Sequence, residues 1–276
     1  MRGRLPSDLL VTSGCRDEAR GREAVAGLAR EGLHPRYHAL DITDEAAITR
    51  LRDHLRETYG GIDVLVNNAG LCLPSNTELA FGEQARVTLG LNYYSNKVMS
   101  SLFSFPLLPS PPQRVCELLF PLLRRGGRVV NVSSGAGYPG FLRTGLPGLV
   151  PPGHPAHAEQ IIAAVTAPDL SLAALEDMVR GYQQLADAGP DKVVSLLPKI
   201  FSRLKNICKV EEHGWMRNPY CASKLFFCAL TRLQQKTFSI EEDIAVNHVH
   251  PGFVGTELGL GWTPPELHQF AITAEK

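Results

Sequence analysis

Tyr220-Cys-Ala-Ser-Lys224 is the segment whose residue types and spacing point most directly to chemistry. On a helix, positions i and i+4 share a face, so the Lys224 ammonium can approach the Tyr220 phenol. A neighbouring cation favours the phenolate, which is expected to lower the Tyr220 pKa and make the phenol a proton donor near neutral pH. A Tyr and a Lys at this spacing often do no more than share a helix face. Here three further polar or glycine-rich segments accompany them: Asn67-Asn-Ala-Gly70, Ser133-Ser134 and Pro251-Gly252. Each follows a short apolar run.

Those runs are strand candidates: Leu9–Thr12, Arg36–Leu40, Ile62–Val66, Arg128–Val132 and Ile244–Val249. Between them lie helical patterns. Asp17–Arg30 carries an apolar stripe of Ala24, Val25, Leu28 and Ala29, and Gly32 is a plausible stop. Thr43 can cap the next helix, whose inner face holds Ala46 or Ala47, Leu51 and Leu55. A further helix begins near Gly82 and carries Asn92, and Tyr220–Phe238 is an apolar helix. Strands alternating with helices predict a doubly wound α/β fold with a parallel sheet. In such a sheet ligands bind at the carboxyl ends of the strands, so the polar segments above converge on one crevice.

Two stretches break this rhythm. Residues 95–113 begin as a helix and then fill with Pro106, Pro109, Pro111 and Pro112, which a helix interior does not tolerate. Residues 135–219 form a long excursion, Gly- and Pro-rich at first and helical later, notably over Leu170–Ala188 and Lys192–Ile207. A single domain over residues 1–276 is expected, with 95–113 inserted and 135–219 forming a loop over the substrate.

Composition excludes several classes. Lys and Arg total 28 against 28 for Asp and Glu, so no basic surplus exists for a nucleic-acid partner. The longest uncharged window, Val98–Gln113, falls short of the about 18 apolar residues of a membrane span and is broken by prolines. No signal peptide is readable behind Met1. Cys15, Cys72, Cys116, Cys208, Cys221 and Cys228 form no Cys-x-x-Cys pair, which reads as reduced thiols in a cytoplasmic protein. Gly135-Ala-Gly-Tyr-Pro-Gly140 matches the spelling of a dinucleotide loop, but Pro139 lies inside it and no helix is expected to open there. His154-Pro-Ala-His157 reads as a solvated loop and no metal site is expected. His248 and His250 read as core or strand-end histidines. Asn131 opens a glycosylation sequon inside a core strand.

Taken in order, Leu40-Asp41-Ile42, Asp63-Val-Leu-Val-Asn-Asn-Ala-Gly70, Asn92, Gly127-Arg-Val-Val-Asn-Val-Ser-Ser134, His213-Gly-Trp215, Tyr220-x-x-x-Lys224 and Pro251-Gly-Phe-Val254 resemble the short-chain dehydrogenase/reductase family. Within it they resemble the NADPH-dependent carbonyl reductases. The resemblance implies that Ser134 polarises a substrate carbonyl, Tyr220 protonates it, Lys224 tunes Tyr220 and binds the nicotinamide ribose, and Asn92 anchors a water in the proton relay. It places Asn67, Ala69 and Gly70 along the cofactor, Asp41 near the adenine, and Pro251, Gly252 and Val254 near the nicotinamide. Arg16, just after the first strand, matches the basic residue that holds a 2′-phosphate, which favours NADPH over NADH. The helices before Tyr220 resemble those that cover a subunit-packing surface in carbonyl reductases, implying a monomer.

The family normally opens with a strand and a glycine-rich turn, and Gly3, Gly14 and Gly21 do not have that spacing. About 30 residues of a βαβ unit are expected to be missing. The strands at Leu9 and Ile62 are then expected to lack their shared neighbour, and the main pyrophosphate site to be absent. Two functions follow: an NADPH-dependent reductase of aldehydes, ketones or quinones, or a catalytically inactive truncated relative with impaired cofactor binding.

Overall fold

The computed structural model describes residues 12–15, 17–74, 76–97, 118–146, 152–188, 210 and 213–252. In chain order its elements are β1 (Thr12–Cys15), α1 (Glu18–Arg30), β2 (Arg36–Ala39), α2 (Glu45–Tyr59), β3 (Ile62–Asn67), α3 (Phe81–Asn92), β4 (Leu123–Val132), α4 (Pro155–Thr166), α5 (Leu172–Ala188), α6 (Pro219–Gln235) and β5 (Ala245–Val249). The expected segments Leu9–Val11, 98–113 and 192–207 lie outside the described residues.

Local signals set the helix boundaries. Asp17 caps α1 by accepting from the Arg20 N–H at 3.1 Å. Asp44, not Thr43, caps α2, accepting from Ala46 at 2.9 Å. Thr43 instead donates its N–H and hydroxyl to Asp41, closing a tight turn. Gly60 ends α2 in the left-handed region at φ 70°, where a side chain would be strained. Asn218 caps α6, with Pro219 at the first position, where no N–H is needed. Pro155 does the same for α4, so the His154–His157 segment is a helix start and not a solvated loop. After the Gly135–Gly140 spelling comes a single helical turn, Phe141–Thr144.

All strand pairs are parallel. The described strands form two sheets, β1-β2 and β3-β4-β5, and none of them lies between β1 and β3. This is the doubly wound α/β arrangement, in an unclosed sheet. Registers Leu65↔Val129↔Val246 and Asn67↔Asn131↔His248 put these residues on one face of the three-stranded sheet. The main core lies among α3, α4, α5 and α6: Leu89, Tyr93, Leu175, Tyr182, Phe226 and Leu230 are all buried. A smaller core joins α2 to β3 through Ile48, Leu51 and Leu55 packed near Leu65. The described residues leave the opposite face of the sheet open. Val64 and Val66 are 53% and 55% exposed, and Val249 is 44% exposed. The continuous apolar run of β3, which would suit a strand covered on both faces, is covered on one. His248 and His250 are likewise exposed strand-end residues, not core.

Candidate active site

The expected site residues reach one place from three elements. Ser134 follows β4, and its hydroxyl oxygen accepts from the Ala136 N–H at 3.1 Å, capping a 3₁₀ turn over Gly135–Gly137. The same hydroxyl is hydrogen-bonded to the Tyr220 phenol on α6. One turn further along α6, Lys224 is buried and donates to the Val132 carbonyl at 3.0 Å. Its ammonium lies 5.6 Å from the centres of both the Tyr220 and Phe227 rings.

Electrostatics correct one expectation. Burial pushes the Tyr220 phenol up to about 12, against a downward pull from the Ser134 hydroxyl. Burial also drives the Lys224 ammonium down to about 8. The i, i+4 spacing brings the two side chains together as expected, but the cation is spent on a backbone carbonyl and desolvation decides the phenol's acidity. At neutral pH Tyr220 holds its proton.

Asn92 is almost fully buried at the end of α3. Its side chain accepts from the Leu71 N–H at 2.7 Å and donates to the Leu71 carbonyl at 2.8 Å and to the Ser223 hydroxyl at 2.9 Å. It thereby pins the loop after β3 to the helix bearing Tyr220 and Lys224. Gly70 lies in that loop: a Cβ there would be 3.5 Å from both Asn92 Oδ1 and Lys224 Nζ. Ala69 and Gly70 are exposed, whereas Asn67 is buried with its side chain turned to Asn131 at 2.8 Å. Asp41 stands at the end of β2, bonded to Thr43. Pro251 and Gly252 are exposed beyond β5, with Gly252 at φ 82°. Arg16 and Val254 lie outside the described residues.

Sequence reasoning missed Gly137. A Cβ there would sit 2.6–2.8 Å from the backbone of Lys224 and Leu225, so only glycine lets the Ser134 turn lie against α6. The cluster Gly135-Ala-Gly137 was the available signal. It also missed Cys72 and Cys228, whose thiols lie within electrostatic reach of Lys224 and are pushed up by burial, Cys72 to about 12. A pocket of about 480 Å³ opens beside Ser134, walled by Tyr138, Phe141, Leu225 and Ala229. Among the described residues no helix is long and apolar enough to cross a membrane, and no group of three or more His, Cys, Asp or Glu is placed to hold a metal ion.

Comparison with known proteins bears on the family and the fold. Residues 7–145 match the short chain dehydrogenase family. The chain is 32% identical over 262 residues to carbonyl reductase [NADPH] 1 of Bos taurus, covering 93% of this chain and 76% of that one. It is 33% identical over 257 residues to carbonyl reductase [NADPH] 3 of Mus musculus, covering 91% and 74%. Among solved structures, menthone neomenthol reductase from Mentha piperita shares the fold with a TM-score of 0.62 at 22% identity, covering 87% of this chain and 80% of that one. Salutaridine reductase from Papaver somniferum gives 0.63 at 22%, covering 92% and 82%. The chain belongs to the short-chain dehydrogenase/reductase family of oxidoreductases.

Proposed function

We propose that this protein reduces the carbonyl group of an aldehyde, ketone or quinone with NADPH, using Tyr220 as proton donor. The observation that carries this reading is the hydrogen-bonded Ser134–Tyr220 pair beside Lys224, set against the exposed backbone of Ala69 and Gly70. Relatives named for NADPH-dependent carbonyl reduction support it.

The described residues fit the nicotinamide end of such a cofactor. Gly70 carries no side chain where the chain runs close to Lys224, leaving room for a ribose that Lys224 and the Ala69–Gly70 backbone would hold. When bound, the cofactor supplies the hydride. The carbonyl oxygen accepts hydrogen bonds from the Ser134 hydroxyl and the Tyr220 phenol, which polarises the carbon toward attack. As the new C–H bond forms, that oxygen takes the Tyr220 proton. The resulting phenolate lies one helical turn from Lys224, which stabilises it and returns a proton. Because Tyr220 is un-ionised at neutral pH, it enters the reaction with a proton to give.

The pyrophosphate end finds no comparable place among the described residues. The helices that follow β1 and β2 are capped by Asp17 and Asp44, each of which accepts one N-terminal N–H, and Glu18 and Glu45 add negative charge beside them, which repels phosphate. This observation favours the second reading, a relative with impaired cofactor binding and little or no activity. Titration with NADPH followed by its fluorescence separates the two. Saturable binding in the low micromolar range supports the reductase, and no binding at millimolar cofactor sinks it.

The remaining features belong to the same reading. We read residues 1–276 as one domain and as a monomer, with α5 packed on α3 and α6 in one core. Cys72, Cys221 and Cys228 are free thiols, as suits a reducing compartment such as the cytoplasm.

A further inference from the structure

A ring of buried hydrogen bonds encloses the base of the site, and one of its members lies far from the chemistry. Asn67 Nδ2 donates to Asn131 Oδ1 at 2.8 Å. Asn131 Nδ2 donates to Thr231 Oγ1 at 2.9 Å and to Gln234 Oε1 at 2.7 Å. Gln234 Nε2 donates to the Asn96 carbonyl at 2.7 Å. Asn96 Nδ2 donates to the Asn92 carbonyl at 3.3 Å, and the Asn92 side chain returns to Leu71. The path starts at one end of the Asn67–Leu71 loop and comes back to the other.

The orientations of Gln234, Asn131 and Asn67 follow from one backbone group. The Asn96 carbonyl can only accept, so Gln234 must present its nitrogen there and its oxygen to Asn131. Asn131 must then turn its nitrogen to Gln234 and its oxygen to Asn67. The Thr231 hydroxyl agrees, since it donates to the Phe227 carbonyl at 2.8 Å and so accepts from Asn131. Gln234, Asn131, Asn92 and Asn96 are at most 3% exposed. Burying four amides in an otherwise apolar layer is unfavourable unless their donors and acceptors are matched, and a matched network admits one arrangement of the helices that bear it.

We propose that Gln234 is a positioning residue. By joining the Asn131 arm of the ring to the Asn96 arm, it fixes where α6 sits relative to the Asn67–Leu71 loop, and so holds Lys224 and Tyr220 at their distances from Gly70. The link between Gln234 and the loop is a matter of geometry in the unliganded chain. Only its kinetic consequence rests on the reductase reading.

Hydrogen exchange on the full chain tests this without cofactor. In Gln234→Leu the Leu71 amide, held by Asn92, is expected to exchange about tenfold faster, the equivalent of one buried hydrogen bond, with the β4–β5 ladder amides unchanged. Gln234→Glu is the companion variant. Its protonated carboxyl reproduces both bonds, while the carboxylate cannot donate to the Asn96 carbonyl. Leu71 protection should therefore be native-like at low pH and fall as the buried carboxyl ionises. That comparison lies within one variant, and it stands even if Gln234→Leu does not fold. Faster exchange confined to the last turn of α6 and to Asn96–Lys97, or Leu71 protection in Gln234→Glu that does not change with pH, overturns the proposal. If the chain is a reductase, kcat/KM for NADPH per folded Gln234→Leu molecule should drop about tenfold, because Lys224 and the Gly70 backbone would together hold the ribose. A wild-type protein without activity would refute the proposed function and leave the exchange result standing.

Discussion

The two faces of the β3-β4-β5 sheet are built from neighbouring residues and have opposite fates. Leu65, Asn67, Val129 and Asn131 look toward α2, α3 and α6, where Val129 and Asn131 are fully buried. Val64, Val66 and Val249 look the other way and stay about half exposed. The same contrast runs through the helices. α6 buries Cys221, Leu225, Phe226 and Leu230, whereas on α1 only Gly21 is buried and Leu28 is 38% exposed. The lesson is that the candidate site residues stand on the densely packed side. Ser134, Tyr220, Lys224 and Asn92 depend on the α3–α5–α6 core and need nothing from the open face to keep their mutual distances.

The largest effect should come from breaking that core. Phe226 is fully buried, with Trp215, Tyr93 and Tyr182 rings 5.2, 6.1 and 6.2 Å away between centroids. Phe226→Ala removes a ring from the centre of an aromatic cluster and should cost about 3–5 kcal/mol in denaturant unfolding. A cost below about 1 kcal/mol would show that the core around α6 does not carry the fold.

Lys224→Met is next, and it asks what the covered side charges for holding a cation. Lys224 is driven from 10.5 to about 8 in the folded chain. Below pH 8 both folded and unfolded forms carry the charge, so the full penalty of burying it is present. Between about pH 8 and 10.5 the folded form has shed its proton while the unfolded form has not, so wild-type stability gains as pH rises. Lys224→Met should therefore be more stable than wild type at pH 7, by up to roughly 3 kcal/mol before the lost bond to Val132 is counted. The advantage should shrink through that window. Comparing both proteins at each pH cancels the titration of Cys221 and Tyr220, which Lys224 does not shift, while Cys72 and Cys228 lose its downward pull in the variant. A difference that does not vary with pH would show that Lys224 is well solvated.

What could be read in advance divides along the same line. The positions of β2, β3 and β5 were legible because each apolar run ends at a polar or glycine signal, and Ile62–Val66 is β3 apart from one residue. By contrast, β1 runs over Thr12–Cys15, past the expected end, and β4 begins five residues early at Leu123. The convergence of Ser134, Tyr220 and Lys224 was legible because helical spacing and strand ends are local rules. The acidity of Tyr220 was not, since it is set by burial contributed from distant segments. Thr43 reads as the cap of α2, but its hydroxyl donates to Asp41 and the neighbouring Asp44 caps the helix instead. Pro155 lies in a segment that reads as a loop, although proline at the first helical position is itself a start signal. Gly137 and Gln234 escaped because their partners lie far away in sequence, on α6 and near Asn96. The open face escaped for a further reason. An apolar run in a parallel strand predicts cover on both sides, and it cannot tell which side the described elements leave bare.

The smallest expected effect is also the sharpest test of that bare side. Val66→Thr keeps the β-branched shape that suits a strand and replaces one exposed methyl by a hydroxyl. With Val66 55% exposed, the hydroxyl remains in water and no cavity forms, so the change should stay within about 0.5 kcal/mol. Were the face covered in solution, the hydroxyl would be desolvated and the cost would rise to about 1–3 kcal/mol. Leu65→Ala, one residue away on the packed face, supplies the control. Leu65 packs against both the α2 cluster and the Val129–Val246 cluster, and its truncation should cost about 2–3 kcal/mol. Near-equal costs at the two positions would mean that both faces are sealed. A large cost at Leu65 with almost none at Val66 would establish that the sheet is packed on the face that bears Asn67 and Asn131, and that α6 draws its position from that face.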